Sequence, residues 1–351
     1  MNLDGASILV TGGTGSFGKR FVKRVLQCAK PQRLVIYSRD ELKQFVMRQQ
    51  YPVERFPNVR FFIGDVRDRD RLYRALDGVE IVVHAAALKQ VPTAEYNPLE
   101  AIKTNILGAA NLIDAAIDRN VQKLLALSTD KAANPVNLYG ATKLCADKLF
   151  VAANAYSGFH RTRFGVVRYG NVVGSRGSVI PYFLAQRATG CLTLTDPRMT
   201  RFLITLDQSV EFVMRAIDAM LGGEIFVPRI PSVRVTDLAR VIGPECRREV
   251  IGIRPGEKLH EVMVPEDESR VTLEYEDHFV IQPSHDFWNR KDYLHARPGG
   301  MLCADGFSYS SETNPWFLGD EEIARLVASV EADSFIDATP KPEETKFVVG
   351  G

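Results

Sequence analysis

Ser7-Ile8-Leu9-Val10-Thr11-Gly12-Gly13-Thr14-Gly15-Ser16-Phe17-Gly18 is a short apolar run that enters a glycine-rich turn, and a helical pattern follows it to about Ala29. The glycines satisfy both G-x-x-G-x-x-G (Gly12, Gly15, Gly18) and G-x-G-x-x-G (Gly13, Gly15, Gly18). Strand, glycine turn and helix in this order let the backbone turn tightly and approach a pyrophosphate at a helix N-terminus, where free N–H groups and the helix dipole favour an anion. A glycine triplet alone could be an ordinary flexible turn. Its place at the first strand-to-helix junction is what points to a dinucleotide site.

Outward from that junction, apolar strand patterns at Arg33 to Tyr37, Val59 to Ile63, Ile81 to Ala85, Lys123 to Ser128 and Arg163 to Tyr169 alternate with helical ones near 41 to 50, 69 to 76, 98 to 119 and 141 to 156. Strands apolar on both faces, joined by helical crossovers, predict a doubly wound (Rossmann) parallel α/β sheet. Ligands bind such a sheet beyond the carboxyl ends of its strands. At those ends stand Gly64-Asp65-Val66, His84-Ala85-Ala86-Ala87, Ser128-Thr129-Asp130-Lys131 and Arg168-Tyr169-Gly170-Asn171. The second strand ends in Tyr37-Ser38-Arg39-Asp40, with Lys43 one turn on. Ser38, Arg39 and Lys43 suit a 2′-phosphate, so NADP is the expected cofactor, and Asp40 keeps NAD open.

After Asn171 the elements become shorter and mixed: helices near 179 to 189, 207 to 221 and 236 to 242, strands near 192 to 195 and 224 to 227. This organisation predicts a cofactor domain over residues 1–170, to which segments near 207–227 return. A smaller mixed α/β substrate lobe is expected mainly over 171–335, and a disordered tail over 336–351. The chain of 351 residues is 45% hydrophobic, enough for a large core. A formal charge of +1 gives no footprint for nucleic acid or an anionic membrane. Cys28, Cys145, Cys191, Cys246 and Cys303 are scattered without a C-x-x-C pair, so neither a disulfide framework nor a metal site is expected. No apolar run approaches the roughly 18 residues of a bilayer span, and a soluble cytoplasmic protein is expected.

The chemistry concentrates in Leu127-Ser128-Thr129-Asp130-Lys131-Ala132-Ala133-Asn134-Pro135-Val136-Asn137-Leu138-Tyr139-Gly140-Ala141-Thr142-Lys143. Tyr139 and Lys143 are four apart at a helix start and share a face, where an ammonium favours the phenolate of a general base. A Tyr-x-x-x-Lys pair is common by chance. Here it follows a strand ending in two hydroxyls and a glycine fingerprint upstream. In these features the chain resembles the extended short-chain dehydrogenase/reductase superfamily, in the branch that acts on nucleotide-sugars. The run from Ser128 to Lys143 is similar to that of the inverting UDP-N-acetylglucosamine 4,6-dehydratases, which open pseudaminic acid synthesis for flagellin glycosylation, and the likeness extends over about residues 5 to 325.

The resemblance implies roles position by position. Thr129, Tyr139 and Lys143 would bind the sugar O4, take its proton and hold the nicotinamide ribose. Asp130 would be the acid that expels water at C6 and Lys131 the base at C5. Gly12, Thr14, Gly15, Ser16, Phe17, Gly18, Asp65, Val66, Ala85 and Val172 would line the cofactor cleft. Lys89, Asn171, Arg201, Arg254 and Glu257 would hold UDP-N-acetylglucosamine, with the two arginines suited to a diphosphate. His84 reads as structural. Similar enzymes assemble as homo-oligomers, dimers or hexamers. A lysine is a base only when neutral; crowding by Lys143 and desolvation favour that, and Asp130 opposes it. Whether Lys131 acts alone or with Asp130 stays open. So do two other readings: a UDP-sugar 4-epimerase or bifunctional dehydratase/epimerase, and a non-catalytic NADP-sensing protein.

Overall fold

The computed structural model describes residues 3–160, 162–174, 178–284 and 289–336, so residues 337–351 of the expected tail lie outside the described residues. Strands β1 (Ser7–Thr11), β2 (Arg33–Ser38), β3 (Val59–Ile63), β4 (Ile81–His84), β5 (Lys123–Thr129) and β6 (Arg163–Tyr169) form within a residue or two of the apolar runs that predict them. They are parallel and ordered β3-β2-β1-β4-β5-β6. Ile8, Leu9, Val10, Leu34, Val35, Val82, Val83, Leu124 and Leu125 are fully buried, as a sheet covered on both faces requires. The cover comes from crossover helices α1 (Ser16–Cys28), α2 (Glu41–Gln50), α3 (Arg69–Ala75), α4 (Val91–Tyr96), α5 (Pro98–Ile102), α6 (Gly108–Asp118) and α7 (Leu138–Tyr156). The strand order reverses between β1 and β4, and that switch point opens a crevice at the carboxyl ends.

The second half of the chain contributes β7 (Asn171–Val172), α8 (Val179–Arg187), β8 (Cys191–Leu194), β9 (Thr200–Ile204), α9 (Leu206–Ala219), β10 (Ile225–Pro228), β11 (Ser232–Arg234), α10 (Val235–Ile242) and β12 (Arg247–Val250). It continues with β13 (Val262–Val264), β14 (Thr272–Glu274), β15 (His278–Ile281), α11 (Arg290–Ala296), β16 (Met301–Leu302), β17 (Tyr309–Ser310) and α12 (Asp320–Ile336). β10 lies parallel beside β6, and β15, β14 and β16 extend that edge antiparallel into a ten-stranded sheet. α9 packs beside α1, where Arg20 pairs with Asp207 and Arg24 with Glu211. Small sheets β11-β9-β7, β12-β8 and β13-β17 build the rest. A second apolar cluster, with Phe183, Leu192, Leu203, Leu238, Ile242 and Ile323, fills the space between α8, α10 and α12.

Several elements depart from the sequence pattern. The single helix expected over 98 to 119 is broken by a π-turn at Lys103–Leu107 between α5 and α6. α7 begins at Leu138 rather than 141, because Asn137 caps it by accepting from Gly140 N at 2.8 Å, which sets Tyr139 inside the first turn. β14 and β16 carry too few residues to leave a period-2 signal.

Candidate active site

The crevice is pinned first at β1 and β4. Gly12 has φ +65°, and a Cβ there would meet the backbone of Ala85 and Ala86 at 2.9 Å, so only glycine lets the two strand ends close up. Thr11 Oγ1 accepts from Ala85 N and Ala86 N, both at 3.2 Å, and lies 2.8 Å from His84 Nδ1, to which its own hydrogen is therefore donated. Burial and then Lys143 push His84 down to about 3, so the ring is neutral with its proton on Nε2. The structural reading of His84 matches this geometry. α1 starts from Gly15 with no side-chain cap and no acidic residue in its first turn, leaving N–H groups directed at the crevice.

At the end of β2, Ser38 Oγ accepts from Gln44 Nε2 at 3.0 Å. Arg39 is mostly exposed, 3.7 Å from Asp65 Oδ2, while Lys43 pairs with Asp40 at 2.6 Å. Asp65 is bound more closely by Arg67, at 2.7 Å, and Val66 is buried against Gly108.

β5 delivers Ser128 and Thr129, and a 3₁₀ turn over Asp130–Ala132 follows at once. Gly140 lets α7 close on that turn: a Cβ there would lie 2.1 Å from the Lys131 carbonyl oxygen. Asp130 is fully buried, its Oδ1 accepting from Thr129 Oγ1 at 2.9 Å and Lys131 Nζ at 3.1 Å, its Oδ2 without a hydrogen-bond partner. Burial, then the Glu261 carboxylate, raises the Asp130 carboxyl above its ordinary range. Lys131 also pairs with Glu261 at 3.2 Å and approaches Asn171 Oδ1 at 3.5 Å, and about a quarter of its side chain (26%) reaches solvent. Burial would lower its ammonium, but Asp130 and Glu261 outweigh burial and raise it. The cation opposing them is Arg201, not Lys143 as expected.

Tyr139 and Lys143 are both buried on one face of α7. Burial pushes the Tyr139 phenol up to about 12, against Lys131 and a hydrogen bond from Thr129. The ammonium that lowers it is Lys131, not Lys143 as expected, and desolvation of the phenolate outweighs that neighbour. Burial lowers Lys143, and Asp147, one turn on, opposes it. Asp147 accepts from Ser128 Oγ at 2.7 Å and faces Arg168 Nη2 at 3.7 Å.

On the lobe side, Lys89 is pushed down by desolvation and by Lys131, which places its ammonium toward the same pocket. Arg201 donates to the carbonyls of Thr200, Leu259 and Lys258 at 2.7, 2.9 and 3.0 Å, so its guanidinium holds the 258–259 loop. Arg254 is exposed and makes no ion pair among the described residues. Glu257 donates its N–H to the Arg254 carbonyl and keeps a buried Oε2 without a partner.

Residues 8–283 match the polysaccharide biosynthesis protein family. An inverting UDP-N-acetylglucosamine 4,6-dehydratase of Campylobacter jejuni is 53% identical over 330 residues, 93% of this chain and 98% of that protein. The chain belongs to the inverting 4,6-dehydratase family. A protein of Rickettsia conorii named UDP-glucose 4-epimerase is 38% identical over 93% of this chain and 96% of its own length. The structure of Pen from Bacillus thuringiensis superposes with a TM-score of 0.85 at 36% identity, covering 94% of this chain and 99% of that one.

Three side chains of this dehydratase fold escaped the sequence reading. Asn105, in the π-turn, accepts from Leu88 N at 2.9 Å and donates to Leu88 O and Thr142 Oγ1 at 2.9 Å, fastening the Lys89 loop to α7. A polar residue in an otherwise apolar helix face was its signal. Asp147 stands on the buried face of α7 four residues after Lys143, a charge out of place in a core stripe. Glu261, next to the lysine, carried no signal beyond a local cluster of charges.

Proposed function

We propose that the chain converts UDP-N-acetylglucosamine to UDP-2-acetamido-2,6-dideoxy-β-L-arabino-hex-4-ulose, with NADP as the dinucleotide in the crevice. The observation that carries this reading is the Asp130–Lys131 pair, 3.1 Å apart with Asp130 fully buried, beside Thr129 and Tyr139. Held by the crevice residues, a bound dinucleotide would supply the hydride chemistry, accepting from C4 and giving back to C6. Thr129 and Tyr139 hold O4, and the Tyr139 phenolate accepts its proton; Lys143 orients the ribose. The C4 ketone makes the C5 proton acidic, the Lys131 amine removes it, and the Asp130 acid protonates the C6 hydroxyl as water leaves. One proton moving along the Asp130–Lys131 hydrogen bond turns carboxylate and ammonium into the acid and amine these steps need, with no change of net charge. Reprotonation of C5 from the opposite face inverts it.

Lys89, Asn171, Arg254 and Glu257 hold the UDP-sugar in this reading, and Arg201 holds both it and the 258–259 loop. The uncapped start of α1, the Gly12 approach and the exposed Arg39 suit a dinucleotide with a 2′-phosphate, which would draw Arg39 and Lys43 from Asp65 and Asp40. Arg39→Ala is expected to weaken NADP binding about tenfold or more while leaving NAD binding within twofold, by calorimetric titration.

The deciding experiment is turnover of UDP-N-acetylglucosamine in heavy water. A product lighter by one water, with one deuterium at C5 and no net reduction of cofactor, is expected. The epimerase named among the relatives is the second reading, and a product of unchanged mass would establish it in place of the first.

A further inference from the structure

Glu261 lies where the loop after Lys258 enters β13, with its side chain 3% exposed. Its backbone is fixed: Glu261 N donates to Ser311 Oγ at 2.9 Å, Ser311 N donates to Glu261 O at 2.8 Å, and Ser311 Oγ is 2.7 Å from Thr200 Oγ1 on β9. Three cations surround the carboxylate: Lys131 Nζ at 3.2 Å, Arg201 Nε at 3.9 Å and Lys258 Nζ at 3.9 Å. Lys131 therefore stands between two buried carboxylates. They differ in their surroundings. Burial would raise Glu261, but Lys131, Arg201 and Lys258 outweigh burial and hold it ionised, whereas burial and Glu261 together raise Asp130.

We propose that Glu261 is a positioning residue for water elimination: ionised beside Lys131, it keeps one proton on the Asp130–Lys131 pair and clamps the amine next to the acid. This rests on the roles given above to Asp130 and Lys131. A pair that has lost its last proton cannot protonate the departing hydroxyl. The groups facing the pair are Tyr139 from α7, Lys89 from the loop after β4, Arg201 from β9 and Lys258 from the loop before β13. The cations among them favour loss of that proton, and the Glu261 carboxylate opposes them. Its charge favours every state of the pair that holds more protons, and it does so at ion-pairing distance.

Glu261→Gln keeps the shape and removes the charge. The alkaline limb of its kcat profile is expected to fall roughly one pH unit or more below that of the wild type. In heavy water, substrate recovered from the variant should carry several-fold more C5 deuterium per product formed, because the amine appears sooner and the acid is lost sooner. Glu261→Asp retains the charge and should return the limb toward the wild type. Lys258→Met removes a cation from the same pair and should move the limb to higher pH. An unmoved limb and an unchanged exchange-to-product ratio in Glu261→Gln, with only kcat or thermal stability lowered, overturns the proposal. If that variant does not fold, an unmoved limb in Lys258→Met overturns it. Failure of the underlying reading is visible separately, as wild-type protein that gives no dehydrated, C5-deuterated product.

Discussion

Asp130 has no exposed atom and one carboxylate oxygen without a partner, a costly arrangement for a charge and a comfortable one for an acid. Asp130→Asn preserves the shape and the contact with Thr129 but has no proton of that acidity to give. It should slow dehydration by about 10²–10⁴-fold while C5 exchange into recovered substrate persists, read by mass spectrometry in heavy water. His84 has the opposite character, a base kept neutral. Its folded pKa lies near 3, below the unfolded value of about 6.5, so the unfolded chain binds the extra proton between those two values. Its contribution is complete above pH 6.5 and is lost as pH falls toward 3, at up to about 1.4 kcal/mol per pH unit. Denaturation midpoints measured from pH 7 to 4 should fall less steeply in His84→Gln, which still offers Thr11 an acceptor.

Elements of ordinary length are legible in the sequence. β1 to β6 carry mainly apolar runs, and α2 has a side-chain cap and a ten-residue span that period and punctuation report well. The cluster of Thr129, Asp130 and Lys131 was legible too, since all three are adjacent in the chain. What the pattern withheld is long-range. The π-turn exists because Asn105 must reach Leu88 and Thr142, and Glu261 meets Lys131 across a sequence separation of 130. Arg201 was read as facing a diphosphate; its bonds to Lys258 and Leu259 could not be read from spacing. α7 supplies the sharpest test at this scale. Gly140→Ala favours helix by intrinsic propensity, roughly 1 kcal/mol, yet its methyl would overlap the Lys131 carbonyl. The 3₁₀ turn should shift, with kcat falling at least tenfold and circular dichroism unchanged.

Across the molecule, Arg168 joins what the chain keeps apart. Fully buried on β6, it donates to Met263 O at 2.9 Å and Glu268 Oε2 at 2.9 Å, and faces Asp147 of α7. Arg168→Met fits the space but leaves Asp147 and Glu268 without their counter-charge, and should cost about 3–5 kcal/mol in denaturant unfolding. Arg168→Lys should recover part of that, as a point charge without the two-pronged geometry. The placement of β10 has a further consequence for the chain while it is being made. β6 is complete at Tyr169, but the strand that covers its edge begins only at Ile225, more than 50 residues later. At a synthesis rate of about 5–20 residues per second, that edge stays open for roughly 3–11 seconds on the ribosome. During that interval the charge of Arg168 would work against a second nascent chain adding its own strand there, a role separate from its later tie to Met263 and Glu268.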